Sequence, residues 1–183
     1  MRLSFIQKVY AKDSLFHSHG IYDDDIDIER AIKGFSTSIS NAYSINELLL
    51  SEAKFTKSLY KIACQKIKLN HFTRDRDAED IINQNLNHGN YLAYGLASLS
   101  LWALGIPPVF ALMHGKTRRG ALVFDVADIV KDAVVLPWAF ICAKERMTDQ
   151  EFRQQCLLNF TKHKVLDFMF NSVKESCQLG SVL

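Results

Sequence analysis

The sequence predicts an all-α protein, and three observations carry that prediction. Glycine and proline are scarce, 8 and 3 in 183 residues, which favours helix over strand and turn. Apolar residues recur at helical spacing through several long stretches. Two Ser/Thr-x-x-Glu sequences, Ser44–Glu47 and Thr148–Glu151, have the form of capping boxes that open helices. No internal repeat or low-complexity segment is visible, and 183 residues allow one large domain or two small ones.

The elements follow in order. The segment Asp23–Tyr43 opens on an acidic cluster, Asp23, Asp24, Asp25 and Asp27, which suits the positive end of a helix dipole. Ile28, Ile32, Phe35 and Ile39 then lie on one helical face. A second helix opens at Ser44 and runs to about Leu69, with Ile45, Leu48, Leu49, Phe55, Leu59 and Ile62 as its apolar stripe. A third, Ala78 to Leu104, is apolar over most of its circumference beyond Tyr91 and is expected at the centre. Gly105 ends it, and Pro107–Pro108 prevents continuation. His114–Gly120 is a basic loop. Val123 to about Val135 is helical or begins as a short strand. Thr148 opens a C-terminal helix with Phe152, Cys156 and Phe160 on one face, and the tail from Cys177 is expected to fray.

Composition bounds the function without selecting it. Hydrophobic residues make up 48% and charged residues 23%, ordinary for a globular domain. A net charge of +2 excludes only a chain basic throughout, so any DNA contact must come from local clusters. Cys64, Cys142, Cys156 and Cys177 form no CxxC pair, which argues against a zinc knot. Reduced thiols in a cytoplasm are the simplest reading, with no secretory signal and no membrane partner. The most apolar stretch reaches Gly105 only about 15 residues after Tyr91, short of the roughly 20 that span a bilayer.

Three anomalies could carry chemistry. Glu52 shares a face with Leu48, Phe55 and Leu59, so its carboxylate points toward the core and needs a cation, a metal ion or a strong donor. A buried salt bridge to an arginine of another helix satisfies that need as well as a metal does. Asp125 and Asp128 interrupt an otherwise apolar stretch at i, i+3, and Asp132 extends the stripe. Paired hard oxygen donors suit magnesium or manganese; the solvated face of an amphipathic helix is the plainer explanation. His114 stands beside Lys116, Arg118 and Arg119, a cluster fit for a phosphate-bearing substrate, although a lone histidine is commonly structural. Together, Glu52, His114 and the two aspartates form a candidate metal site for phosphodiester chemistry.

These residues lie within a broader resemblance. Leu50–Ser51–Glu52–Ala53 with Tyr60, Asp80 through Gly89, Gly105–Ile106–Pro107–Pro108 followed by Leu112–Met113–His114–Gly115, and Leu122 through Asp128 resemble, in order, motifs of the CRISPR-associated integrase of spacer acquisition. The wording of Asn87–Gly95 and His114–Val123 looks most like the subtype I-F branch. The resemblance implies that residues 1–183 form a single domain, the family's helical C-terminal catalytic domain, with Glu52, His114, Asp128 and Asp125 as catalytic and metal-holding residues and Mg2+ or Mn2+ as cofactor. It implies an endonuclease and integrase that joins 3′-hydroxyl ends of short foreign DNA to the repeat of a CRISPR array. Lys116, Arg118, Arg119 and Lys131 are the expected DNA contacts, and Asn87 and Tyr91 the expected supports behind the metal ligands. The implied partners are protospacer and repeat DNA, a second adaptation protein (in subtype I-F fused to the nuclease-helicase), and a second copy in a homodimer.

One departure from the family pattern bears on function. The family's β-rich N-terminal domain has no counterpart here, since the chain begins within its first helical part. A truncated gene product, a split gene product and an excised domain are all compatible with that. The alternative function is therefore a non-catalytic remnant that binds DNA or partner proteins.

Overall fold

The computed structural model describes residues 1–12, 26–109 and 120–179. Among these there are eight helices and no strand: α1 (Arg2–Lys12), α2 (Ile26–Ser40), α3 (Ile45–Ile67), α4 (Ile81–Ala103), α5 (Ala121–Lys131), α6 (Val135–Glu145), α7 (Asp149–Lys162) and α8 (Val165–Leu179). The expected all-α class is what the chain adopts. His114, Lys116, Arg118 and Arg119 lie outside the described residues, as do Asp23, Asp24 and Asp25.

Side-chain caps set the starts of α3, α4 and α7. The Thr148 side chain accepts from the Glu151 N–H while Glu151 accepts from the Thr148 N–H, a complete capping box. At Ser44 only half the box forms: its hydroxyl accepts from Glu47 N–H, but the Glu47 carboxylate reaches one residue further back, to Tyr43 N–H at 2.8 Å. Asp80 caps α4 through Asn83 N–H. Burial alone would raise the Asp80 carboxyl, but the hydrogen bonds from Asn83 outweigh it and hold it below its usual range.

α4 is the hub, packed against α5, α6, α7 and α8. At Gly89 it comes close to its neighbours, facing Val135 of α6 and Phe152 of α7. α6 is buried along nearly its whole length, and Phe140, Ile141 and Cys142 are fully inaccessible. The face of α7 carrying Phe152, Cys156 and Phe160 is buried as expected. α1 seats Phe5, Ile6 and Val9 in the core at 0% exposure and packs against α5.

One expectation needs correction. The element expected from Val123 to about Val135 is helical but ends early: α5 stops at Lys131, and the chain turns through Asp132, Ala133 and Val134 before α6 starts. α8 runs past Cys177 to Leu179, and the rest of the tail expected to fray lies outside the described residues.

Candidate functional site

An opening lies between α3, α5 and the segment that joins α3 to α4. It is a cavity of about 730 Å3. α3 lines it with Glu52, Thr56 and Tyr60, spaced i, i+4, i+8 and so stacked on one face. α5 and its exit turn add Asp128, Lys131 and Asp132, while the joining segment adds His71, Phe72, Thr73 and Arg74. α1 contributes Arg2.

The carboxylates are not solitary. The Arg2 guanidinium lies between Glu52 and Asp132, ion-paired to both. It donates to Asp132 from Nε at 2.8 Å and to the Thr56 hydroxyl at 2.9 Å. Its plane lies 5.6 Å from the Phe55 ring and 6.0 Å from the Phe35 ring, which are themselves stacked. Burial works against its charge, yet Asp132 and Glu52 more than compensate and hold the Arg2 pKa above its ordinary value. Glu52 therefore has the ion pair its position called for, and the arginine of another helix is Arg2. Asp128 pairs with Lys131 one turn along α5, and the same ammonium lies 5.3 Å from the Tyr94 ring.

The structure thus brings Glu52 and Asp128 to one cavity from separate helices. Asp125 is half-buried one turn earlier on α5 and is not among the residues lining that cavity. The donor chemistry fits a hard divalent ion, since carboxylate oxygens of Glu52 and Asp128 line a shared opening. Among the described residues, no three His, Cys, Asp or Glu side chains are gathered to hold an ion. The expected third donor, His114, falls outside those residues. Glu52 and Asp128 each already face a cation, which an incoming metal has to share or displace.

The cavity's overall charge is positive. Arg2, Lys57, Lys61, Arg74 and Lys131 line it against three carboxylates. Tyr60 is pushed up to about 12, chiefly by burial and then by Asp132, so it stays a neutral phenol at physiological pH.

A second opening of about 350 Å3 adjoins the first and shares Arg74 and Asn90 with it. Asn87 and Tyr91 line this second cavity and not the first, with Arg76, Tyr94 and Phe124. Tyr91 is 71% exposed and meets Tyr94 edge-on, and Tyr94 meets Phe124 the same way at 4.8 Å.

Residues between α3 and α4 were missed by sequence reasoning, and their positions explain the Asp80–Gly89 motif. Asn83 is 1% exposed. Its Oδ1 accepts from Arg74 at 2.8 Å and from Asp75 N–H, while its Nδ2 donates to Asp80 and to the Thr73 carbonyl. Asn87 accepts from Arg74 and donates to the Arg76 carbonyl. The motif's asparagines fasten an irregular segment to α4 and aim Arg74 at the boundary of both cavities. The available signal was the run of asparagines on a helix that otherwise reads as core. Amides there need partners.

The described residues thus form an all-helical domain in which carboxylates from two helices line a cation-rich cavity. The chain belongs to the family described as CRISPR associated protein Cas1, whose model matches residues 6–166. It is 45% identical over 150 residues to the CRISPR-associated endonuclease Cas1 of Pectobacterium atrosepticum, covering 81% of this chain and 46% of that protein. It is 40% identical over 183 residues to the same-named protein of Pseudomonas aeruginosa, covering 99% of this chain and 56% of that one. The chain therefore spans about half the length of these relatives. The crystal structure of a TtCas1–DNA complex shares the fold at a TM-score of 0.68 and 18% identity, over 96% of this chain and 65% of that one. No described helix is long and apolar enough to cross a membrane.

Proposed function

We propose that this chain is the catalytic domain of a divalent-metal-dependent DNA endonuclease and integrase of CRISPR spacer acquisition, acting in the cytoplasm. The carrying observation is that Glu52 and Asp128, from different helices, line one cavity in which cationic side chains outnumber carboxylates. Acid groups alone would repel a phosphodiester, and basic groups alone would bind it without acting on it. The names of the two bacterial relatives, both endonucleases, agree with this reading.

Glu52, Asp128 and His114 would hold Mg2+ or Mn2+, with Asp125 as a further ligand or support. The bound ion supplies charge stabilisation at the scissile phosphate and activation of the attacking hydroxyl or water. Lys57, Lys61 and Arg74 would take the DNA backbone where they line the cavity, joined by Lys116, Arg118 and Arg119. Lys131 serves differently from a simple DNA contact, because it already neutralises Asp128. Tyr91, Tyr94 and Phe124 offer ring faces and edges beside two arginines, a surface on which unpaired bases stack. The reaction in this reading joins 3′-hydroxyl ends of short foreign DNA to a CRISPR repeat. A second adaptation protein and a second copy of this chain would be the assembly partners.

Incubation with branched DNA and manganese tests the proposal. Strand cleavage or joining by the wild type, lost in Asp128→Ala and reduced in Asp125→Ala, is the expected result. No turnover by the wild type, with DNA binding that weakens steeply with salt, instead establishes the non-catalytic remnant. That second reading is favoured by one observation: Glu52 and Asp128 are each already paired with a cation.

A further inference from the structure

Arg2 is buried more deeply than a solvent-facing arginine requires, with 14% of its side chain exposed. Asp132, 6% exposed, receives two of its nitrogens. A third nitrogen meets Glu52, and Thr56, one turn along from Glu52 on α3, accepts as well. The guanidinium therefore ties α1 to α3 and to the α5 exit turn. Its fork is planar and rigid, and Nε and Nη2 converge on one oxygen, Oδ2 of Asp132, which sets its direction. What that fixed fork then determines is where the Glu52 carboxylate stands.

We propose that Arg2 is a positioning residue for the reaction: clamped by Asp132, it fixes the carboxylate of Glu52 in the orientation that serves the cavity. This rests on the metal-dependent reading above. Ligating carboxylates are oriented by the hydrogen bonds behind them, and losing such a bond weakens metal affinity. The opposite role would be a plug that occupies the site until α1 swings away. Phe5, Ile6 and Val9 of the same helix are fully buried, so α1 is part of the core and not a strap over it. Lysine cannot reproduce the arrangement, because a single ammonium has no planar fork to span Asp132 and Glu52 together.

The test is a titration of the full chain with Mn2+, following the paramagnetic resonance signal of the free ion. Asp128→Ala should abolish binding. Arg2→Lys and Arg2→Ala should each weaken it roughly 10–100-fold. Asp132→Asn should do the same through loss of the clamp, and it carries the test if Arg2→Ala fails to fold. In a Glu52→Gln background, Arg2→Lys should add no further loss, a coupling that a merely structural role would not produce. Circular dichroism melting checks that each variant is folded. Unchanged affinity in folded Arg2→Lys and Asp132→Asn overturns the inference, and so does tighter binding, which would make Arg2 a plug. If the wild type binds no Mn2+, and Asp128→Ala is indistinguishable from it, the metal-dependent reading itself fails and the inference with it.

Discussion

Val135 stands so close to Gly89 that a β-carbon at position 89 would meet its Cγ1 at 2.4 Å and the Phe152 ring at 3.0 Å. This close approach of α4 to α6 and α7 explains a glycine in the middle of a helix, where glycine costs about 1 kcal/mol relative to alanine.

Gly89→Ala should destabilise the fold by about 1–3 kcal/mol, since Val135 is itself fully buried and has no room to retreat. Gly34→Ala and Gly95→Ala should do the reverse. Among the described residues nothing lies within 4 Å of either added methyl, and both positions are helical, so each should gain up to about 1 kcal/mol. Urea denaturation of the three variants measures both signs. A stabilised Gly89→Ala would show that the α4–α6 contact is looser than described.

Arg74 should matter to DNA binding beyond its single charge. It reaches the boundary of the two cavities because Asn83 and Asn87 hold it there. Arg74→Ala should weaken affinity for branched DNA and make the salt dependence shallower by about one phosphate contact. Asn87→Ala, which keeps the charge and removes one anchor, should weaken binding less and leave the salt slope unchanged. Fluorescence anisotropy over a range of salt concentrations separates the two.

Tyr60 gives a pH signature. Its pKa is raised to about 12 in the fold, chiefly by burial, from an ordinary value of 10.0. Ionisation is thus harder in the folded state. The stability this contributes is fully present below about pH 10 and is lost as pH rises toward about 12. Comparing alkaline melting of the wild type with Tyr60→Phe should show a steeper loss in the wild type across that window. Parallel curves would place the phenol in contact with water.

Much of this was readable from residues alone. The stripe of Phe55 and Leu59 exposed the oddity of Glu52, and the Thr148 box announced α7 with both of its hydrogen bonds. The identity of the partner of Glu52 was not readable. Arg2 lies fifty positions away, and only packing α1 against α5 brings it there. The break between α5 and α6 was also hidden. Lys131 through Val134 contains neither glycine nor proline, while Pro137 sits inside the first turn of α6, where a missing N–H costs nothing. Arg74 and Arg76 went unnoticed because a polar stretch between two helices reads as a linker. The side chains that turn it into a wall of the site belong to α4.

The placement of Arg2 has a practical side. Met1 is 46% exposed, and the next residue is already engaged at the cavity. Any polypeptide joined ahead of Met1, native or engineered, therefore enters the fold one residue before an arginine that lines the proposed site. A histidine tag fused there would bring rival metal ligands close in sequence to Arg2. Measurements of metal affinity or turnover made with and without such a tag are not interchangeable.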